Sequence, residues 1–195
     1  MPGNVAGVLL AAGSGSRLGQ PKALVMVGGQ SLAARGIALL RAGGADPLIV
    51  VIGAAELADP ADDVLCVHNP DWQTGMGSSL ATGLAAVPAG CDAAVVALAD
   101  QPLVGPESVR RLIAAHQAGA SVAVACYDGQ PRNPVLIGRE HWPEVVALAA
   151  GDVGARPFLR AHPDLVSRIE CADTGRPDDI DSPEDLARVE ELLAT

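Results

Sequence analysis

The sequence predicts a three-layer α/β fold with a mostly parallel sheet, and two observations support this prediction. Short apolar runs recur along the chain, and most of them do not alternate with polar residues, which is typical of strands buried on both faces. Segments with helix start and stop signals separate these runs. Strands that alternate with helices form parallel neighbours whose helical connections cover both faces of the sheet.

Six apolar runs are candidate strands, because each is too short to form a helix of typical length. They cover residues 5–10, 48–52, 64–67, 93–98, 122–126 and 135–137. The candidate helices cover residues 31–42, 78–87, 106–118 and the tail from residue 182. In the tail, Ser182 is a predicted N-cap, Pro183 takes the first helical position and Asp185 completes an approximate capping box.

Composition limits the classes of function that are open to this chain. The 195 residues fit one domain, which we expect to span residues 1–195. A formal charge of −10 argues against a nucleic acid or an anionic membrane as the main partner, since both attract basic surfaces. The four cysteines form no C-x-x-C pair, and no run has the length of a membrane span or the cationic start of a signal peptide. We therefore expect a cytoplasmic protein with reduced thiols.

The loop after the first apolar run carries the strongest functional signal. The segment LLAAGSGSRLGQPK, residues 9–22, contains glycines and serines followed by Arg17 and Lys22. Its glycine spacing is one residue too long for the dinucleotide pattern G-x-G-x-x-G, and Gln20 and Pro21 interrupt the Gly-Lys pair of a Walker A loop. Small residues let backbone N–H groups turn towards an anion, and the two cations suit a triphosphate. The structural alternative is an ordinary turn with two solvated cations.

The pattern L-A-A-G-x-G-x-R-L-G-x-x-K in this loop resembles the signature of the MobA-like nucleotidyltransferases, which transfer a nucleoside monophosphate from an NTP to an anionic acceptor. Further segments follow in the order of the molybdenum cofactor cytidylyltransferase branch of that family. They are NPDWQTGMGSSLATGL (69–84), ALADQPLV (97–104), PRNPVLI (131–137), GDVGAR (151–156) and DDIDSPEDL (178–186). The resemblance covers effectively the whole chain and implies a Rossmann-like nucleotidyltransferase fold.

The same resemblance implies an activity. The expected reaction is Mg²⁺-dependent transfer of CMP from CTP to molybdopterin with release of pyrophosphate, and Mn²⁺ is the alternative metal. Ala12 favours CTP over GTP, because the guanylyl-transferring branch carries a glycine there that makes room for a purine. A molybdenum hydroxylase or its chaperone is the implied protein partner. The alternatives are a sugar- or polyol-phosphate nucleotidyltransferase, a GTP-dependent guanylyltransferase and a non-catalytic carrier of the cofactor.

Two loops hold the residues that the resemblance assigns to nucleotide binding. They are Leu10, Ala11, Ala12, Gly13, Ser14, Gly15, Ser16, Arg17 and Lys22 in the first loop, and Gly75, Ser78 and Ser79 in the second. Arg17, Lys22 and Asp100 are the catalytic candidates. Gly75 and Ser78 have a structural alternative as a relaxed turn with a helix cap.

Carboxylates and cations elsewhere complete the predicted site. Asp100 follows the run 93–98 at the carboxyl edge of the sheet, where α/β folds bind ligands, and its oxygens suit Mg²⁺. Asp181 is the preferred second metal ligand and Asp179 the alternative, since alternation along an extended segment puts both on one side.

Three polar residues in later loops are candidates for binding a phosphorylated acceptor. They are Arg132, Asn133 and Arg156. For Arg156 a surface salt bridge is the structural alternative. We also expect Asp152 to cap the helix that contains Phe158.

Overall fold

The computed structural model describes residues 4–57 and 61–194, and it confirms the mostly parallel α/β sheet. Nine strands lie within these ranges. They are β1 (Asn4–Leu10), β2 (Met26–Val27), β3 (Gln30–Ser31), β4 (Leu48–Ile52), β5 (Val64–His68), β6 (Cys91–Leu98), β7 (Val122–Tyr127), β8 (Gln130–Gly138) and β9 (Val166–Glu170). All six predicted strands are present, whereas β9 and the short β2–β3 hairpin were not predicted.

Seven of these strands form the central sheet in the order β5-β4-β1-β6-β8-β7-β9. Only β8 is antiparallel to its neighbours. The carboxyl ends of the other six strands therefore meet at one edge of the sheet, where ligands bind in open α/β folds.

Six α-helices lie in the described part of the chain. They are α1 (Leu32–Ala42), α2 (Met76–Ala85), α3 (Pro106–Gln117), α4 (Trp142–Leu148), α5 (Arg156–Ala161) and α6 (Pro183–Leu193). The four predicted helices correspond to α1, α2, α3 and α6, and the capping box of α6 is present, since Ser182 Oγ accepts from Asp185 N. None of the helices described is long and apolar enough to cross a membrane.

The apolar residues form one core on each face of the sheet, as the three-layer prediction requires. Alternation within β1 sends Val5 and Leu9 into the core under α1 and α3, and Val8 and Leu10 into the core under α2, α4 and α5. A third, smaller core joins the β2–β3 hairpin to α6 around Ile180. This third core brings the segment before α6 to the carboxyl edge of the sheet.

The expectation for Asp152 is wrong. The residue before α5 is Ala155, and no side chain caps that helix. Asp152 lies in a 3-10 turn (Gly151–Val153), and its Oδ1 accepts a hydrogen bond from Met76 N at 3.3 Å. It therefore stabilises the start of α2, because the first N–H groups of a helix have no partner within that helix.

Candidate active site

A cavity of about 380 Å³ opens at the carboxyl edge of the sheet. The first predicted nucleotide-binding loop, residues 10–17 with Lys22, forms much of its wall. Asp100 after β6, Asp181 before α6, and Gly75 and Ser79 at the start of α2 also line it. Elements that are far apart in the sequence thus place the predicted phosphate-binding and metal-binding residues around one space.

The loop after β1 is closed on itself by two backbone bonds, from Leu18 N to Gly15 O at 2.8 Å and from Lys22 N to Gly13 O at 3.2 Å. Gly15 has φ +60°, and a Cβ atom there would lie 2.1 Å from Gln20 O, so the turn requires glycine. Within the described ranges, the amide N–H groups of residues 13–17 donate to no protein acceptor. These donors are available to the oxygens of an anion in the cavity.

Lys22 joins two carboxylates at the edge of this cavity. Its Nζ lies 2.6 Å from Asp100 Oδ2 and also donates to Asp181 Oδ1. Burial works to lower the pKa of Lys22, but the charges and hydrogen bonds of the two aspartates outweigh it and raise this pKa. The backbone explains the arrangement, because Ile180 N donates to Asp100 O at 2.9 Å and so fixes the next residue, Asp181, beside Asp100.

Asp179, the alternative metal ligand, is not among the carboxylates that Lys22 binds. Its Oδ1 accepts a hydrogen bond from Gln101 Nε2 at 2.8 Å, and it borders a second cavity. Burial, followed by the negative charge of Asp100, raises its pKa. Between the two candidates, the structure brings Asp181 together with Asp100 through Lys22. The hard oxygens of these two carboxylates, with substrate phosphates, make the usual ligand set for Mg²⁺.

The second predicted loop is held by a side chain that the sequence did not reveal as important. Asn69 Nδ2 donates to Ser78 Oγ at 2.9 Å and to Ser79 Oγ at 3.0 Å. Ser79 lines the cavity, whereas the Ser78 hydroxyl lies 2.9 Å from Gly75 O and stands outside the cavity wall. Ser78 therefore holds the turn, and Ser79 is placed to contact a ligand.

Trp72 is a further wall residue that sequence reasoning missed. A Cβ atom at Gly53 would lie 2.6 Å from the Cβ of Trp72 and 2.9 Å from the Cβ of Ala12, so the three residues pack closely. The only available signal was an aromatic residue within the segment 69–84 of a chain with two tryptophans. The indole borders the space next to Ala12, the residue predicted to affect base choice.

A second cavity of about 610 Å³ adjoins the first. Met76 and Leu98 line both cavities, while Asp100 lies in the wall of one and its neighbour Gln101 in the wall of the other. The predicted acceptor residues all line the second cavity. They are Arg132, Asn133 and Arg156. Arg160 and Arg168, which were not predicted, line it as well.

Comparison with known proteins identifies similar chains. Residues 7–166 match the model of the MobA-like NTP transferase domain. The nicotine blue oxidoreductase of Paenarthrobacter nicotinovorans is 38% identical over 197 residues, covering 95% of this chain and 96% of that protein. The purine catabolism protein PucB of Bacillus subtilis is 30% identical and covers 96% of this chain and 97% of that protein.

Solved structures with a similar fold cover nearly the whole chain. Rv0371c from Mycobacterium tuberculosis H37Rv superposes with a TM-score of 0.83 at 28% identity, covering 98% of this chain and 100% of the other. The same protein has been solved in complex with manganese, and that structure has a TM-score of 0.76. A protein of similar fold and sequence is therefore described with a divalent metal.

Proposed function

Because the chain belongs to the MobA-like NTP transferase family and is a nucleotidyltransferase, we propose that it transfers CMP from CTP to molybdopterin and releases pyrophosphate. The observation that carries the proposal is the junction of the two cavities. A loop with free amide donors lines one cavity, arginines line the other, and Asp100 and Gln101 separate them at the end of β6. Two anionic substrates can meet at this place.

In the proposed reaction the triphosphate occupies the first cavity. The free amides of residues 13–17 and the guanidinium of Arg17 bind the β and γ phosphates. The ammonium of Lys22 leaves the carboxylates of Asp100 and Asp181 and binds the α phosphate. An oxygen of the acceptor's phosphate monoester attacks the α-phosphorus, and the bond from that phosphorus to pyrophosphate breaks. The acceptor oxygen is already anionic near neutral pH, so no strong general base is needed. The rate enhancement then comes from the positioning of the two substrates and from compensation of the charge on the phosphates.

Asp100 and Asp181 would hold Mg²⁺ or Mn²⁺, which supplies charge neutralisation for the reacting phosphates when bound. The manganese complex of the similar protein Rv0371c supports a divalent metal for this chain. The choice of CTP rests on Ala12, whose methyl group packs beside Gly53 and Trp72 and narrows the cavity where a glycine would widen it.

The test is pyrophosphate release from CTP, GTP and ATP in the presence of molybdopterin and Mg²⁺. We expect release from CTP alone, and we expect Asp100→Asn to lower it by about 10²-fold or more, since it removes a carboxylate from the reaction centre. Asp63→Asn is the matched control, because Asp63 forms an exposed ion pair with Arg41. Release with sugar phosphates instead would support a sugar-phosphate enzyme, and tight CTP binding without any release would support a carrier.

One relative points to a second candidate function. The 38% identical protein is named an oxidoreductase, so a redox reaction with a nucleotide cofactor in the first cavity is the alternative to test. Oxidation of NADH or NADPH, followed at the absorbance of the reduced nicotinamide with nicotine blue as the oxidant, measures it directly. Turnover in that assay, together with silence in the pyrophosphate assay, would overturn the transferase proposal.

A further inference from the structure

Most of the arginines outside the two cavities pair with carboxylates, whereas the arginines of the second cavity do not. Outside the two cavities, arginines bind carboxylates or backbone carbonyls. The ion pairs are Arg41–Asp63, Arg110–Glu107, Arg111–Asp173, Arg176–Asp178 and Arg188–Asp185, while Arg35 and Arg139 donate to carbonyl oxygens. The four arginines of the second cavity form no ion pair with any carboxylate among the described residues, although one of them, Arg132, donates to the carbonyl oxygen of Pro131 at 3.3 Å. They are Arg132, Arg156, Arg160 and Arg168.

This concentration of unpaired cations is notable in a chain with a formal charge of −10. Among the described residues that line the second cavity, only Asp179 carries a carboxylate, and this carboxylate is hydrogen-bonded to Gln101. All four side chains are exposed, so water screens their mutual repulsion, and an anion that enters the cavity can be contacted by more than one guanidinium group. The number of cations exceeds what one phosphate group needs, because a single bidentate arginine and one further donor already satisfy it.

The fold divides these four arginines into a near pair and a far pair. Arg132 lies at the start of β8, which is the strand adjacent to β6 and hence to Asp100. Arg156 begins α5, four residues after Asp152 in the wall of the first cavity. Arg132 and Arg156 are therefore placed to bind the phosphate that attacks at the junction.

Arg160 and Arg168 lie farther from the junction. Arg160 is one turn along α5 from Arg156, close to the connection into β9. Arg168 lies on β9, in register with Val124 of β7, and β9 is three strands away from β6 in the sheet. Since neighbouring strands are about 4.8 Å apart, β9 lies on the order of 14 Å from the strand that carries Asp100. A phosphate held at the junction therefore leaves the end of the cavity beside β9 open to another part of the acceptor.

We infer that the acceptor carries a second anionic group, remote from the phosphate that is transferred, and that Arg160 and Arg168 bind it at the far end of the second cavity. This inference rests on the proposed transfer to a phosphate acceptor and narrows its substrate class. Acceptors with a single phosphate, such as sugar and polyol monophosphates, provide no anionic group for Arg160 and Arg168. Molybdopterin, with a phosphate monoester and a dithiolate, belongs to the class with two anionic groups.

A binding experiment without turnover tests the far site. The probes are fructose 6-phosphate, with one anionic group, and fructose 1,6-bisphosphate, with two, measured by calorimetry at fixed ionic strength. We expect the bisphosphate to bind the wild-type protein about tenfold more tightly or better, and we expect Arg160→Gln/Arg168→Gln to remove most of that preference. Arg41→Gln, which alters an exposed ion pair, and Arg17→Gln, which alters the first cavity, retain it. Absence of the preference, its survival in the double variant, or its loss in Arg17→Gln instead would each overturn the inference.

A kinetic experiment connects the far site to the reaction. With CTP and molybdopterin, Arg160→Gln and Arg168→Gln should each raise the KM for the acceptor about tenfold and leave the KM for CTP within about twofold of wild type. Arg168→Lys, which keeps the charge, should recover part of the loss. Equal effects on both KM values would contradict a role in acceptor binding. If no turnover occurs with these substrates, the proposed reaction fails, while the calorimetric preference still decides whether the far anion site exists.

Discussion

Lys22 Nζ lies 2.6 Å from Asp100 Oδ2, although the two residues are 78 positions apart. The same ammonium also binds Asp181, so one cation holds together the two carboxylates that we assign to the metal. A divalent cation bound by both carboxylates would take the position that the ammonium fills. Metal binding and the movement of Lys22 to the phosphates are therefore expected to occur together.

Replacement of Lys22 tests this exchange. Lys22→Met frees both carboxylates, so we expect Mn²⁺ to bind the nucleotide-free protein about tenfold more tightly, as measured by electron paramagnetic resonance. The same variant should lower kcat/KM for the transfer by about 10²-fold or more, because the α phosphate loses its cation. The variant leaves the largely buried Asp100 carboxylate without its ion pair, whereas Asp181 is exposed, so the free energy of unfolding should fall by about 1 kcal/mol.

Arg17→Met is the control for this experiment. Arg17 lines the same cavity, but neither Asp100 nor Asp181 binds it. It should weaken CTP binding and leave the affinity for Mn²⁺ unchanged in the absence of nucleotide. An unchanged Mn²⁺ affinity in Lys22→Met would show that the ammonium does not compete with the metal.

The phosphate-binding loop offers a matched pair of glycines. Gly15 and Gly19 both have positive φ, of +60° and +71°, but a Cβ atom on Gly15 would meet Gln20 O at 2.1 Å, whereas one on Gly19 has open space within 4 Å. Both alanine variants carry the backbone strain of positive φ, and Gly15→Ala must also move the loop. We expect Gly15→Ala to raise the KM for CTP about tenfold more than Gly19→Ala does. Steady-state kinetics checks this, and equal KM values in the two variants would argue against a loop that is shaped for phosphate.

The parts of the site that could be predicted follow strands that are visible as apolar runs. β1 and β6 are buried and uninterrupted, so the positions of the loop with Lys22 and of Asp100 at the carboxyl edge follow from the sequence. β9 reads VSRIE and is only partly buried at the end of the sheet. Its mixed composition gives no strand signal, and Arg168 was missed with it.

Contacts between distant loops account for the remaining differences. GDVGAR contains an aspartate before a helix, which predicts a cap. The turn around Gly151 instead lies against Gly75, where an added Cβ atom would be 2.4 Å from the Gly151 carbonyl carbon, and Asp152 bonds to Met76 across that contact. A contact made only in the tertiary structure leaves no local pattern in the sequence.

Base selection is expected to depend on Ala12. Ala12→Gly removes the methyl group beside Gly53 and Trp72 and enlarges the first cavity next to the indole. We expect the ratio of kcat/KM for CTP over GTP to fall about tenfold, because a hydrophobic wall discriminates by size only modestly. The measurement is pyrophosphate release with each nucleotide over a range of concentrations. Ala11→Gly in the same wall is the control, and an equal loss of selectivity in that variant would show that the position of the methyl group does not matter.

The hydrogen bonds of Glu170 make the stability of the folded protein depend on pH, and the direction of this dependence can be worked out. Backbone N–H groups of Ala172 and Gly129 donate to its carboxylate at 3.0 Å, and those of Cys171 and Asp128 at 3.2 Å. These bonds hold its pKa below the ordinary value of about 4.5. A carboxyl group whose pKa is lower in the folded protein adds stability above its unfolded pKa and loses it as the pH falls through the folded pKa.

The variant Glu170→Gln should therefore be less stable than wild type by a constant amount from about pH 5 to pH 8, and the difference should shrink below about pH 4.5. Urea unfolding midpoints across this range measure it, with Glu191→Gln on the exposed end of α6 as the control. If the difference in stability is still as large at about pH 3, the effect of the substitution does not come from the negative charge of the Glu170 carboxylate. Because these bonds also fix the β7–β8 turn that precedes Arg132, the KM for the acceptor should rise in the variant while the KM for CTP does not.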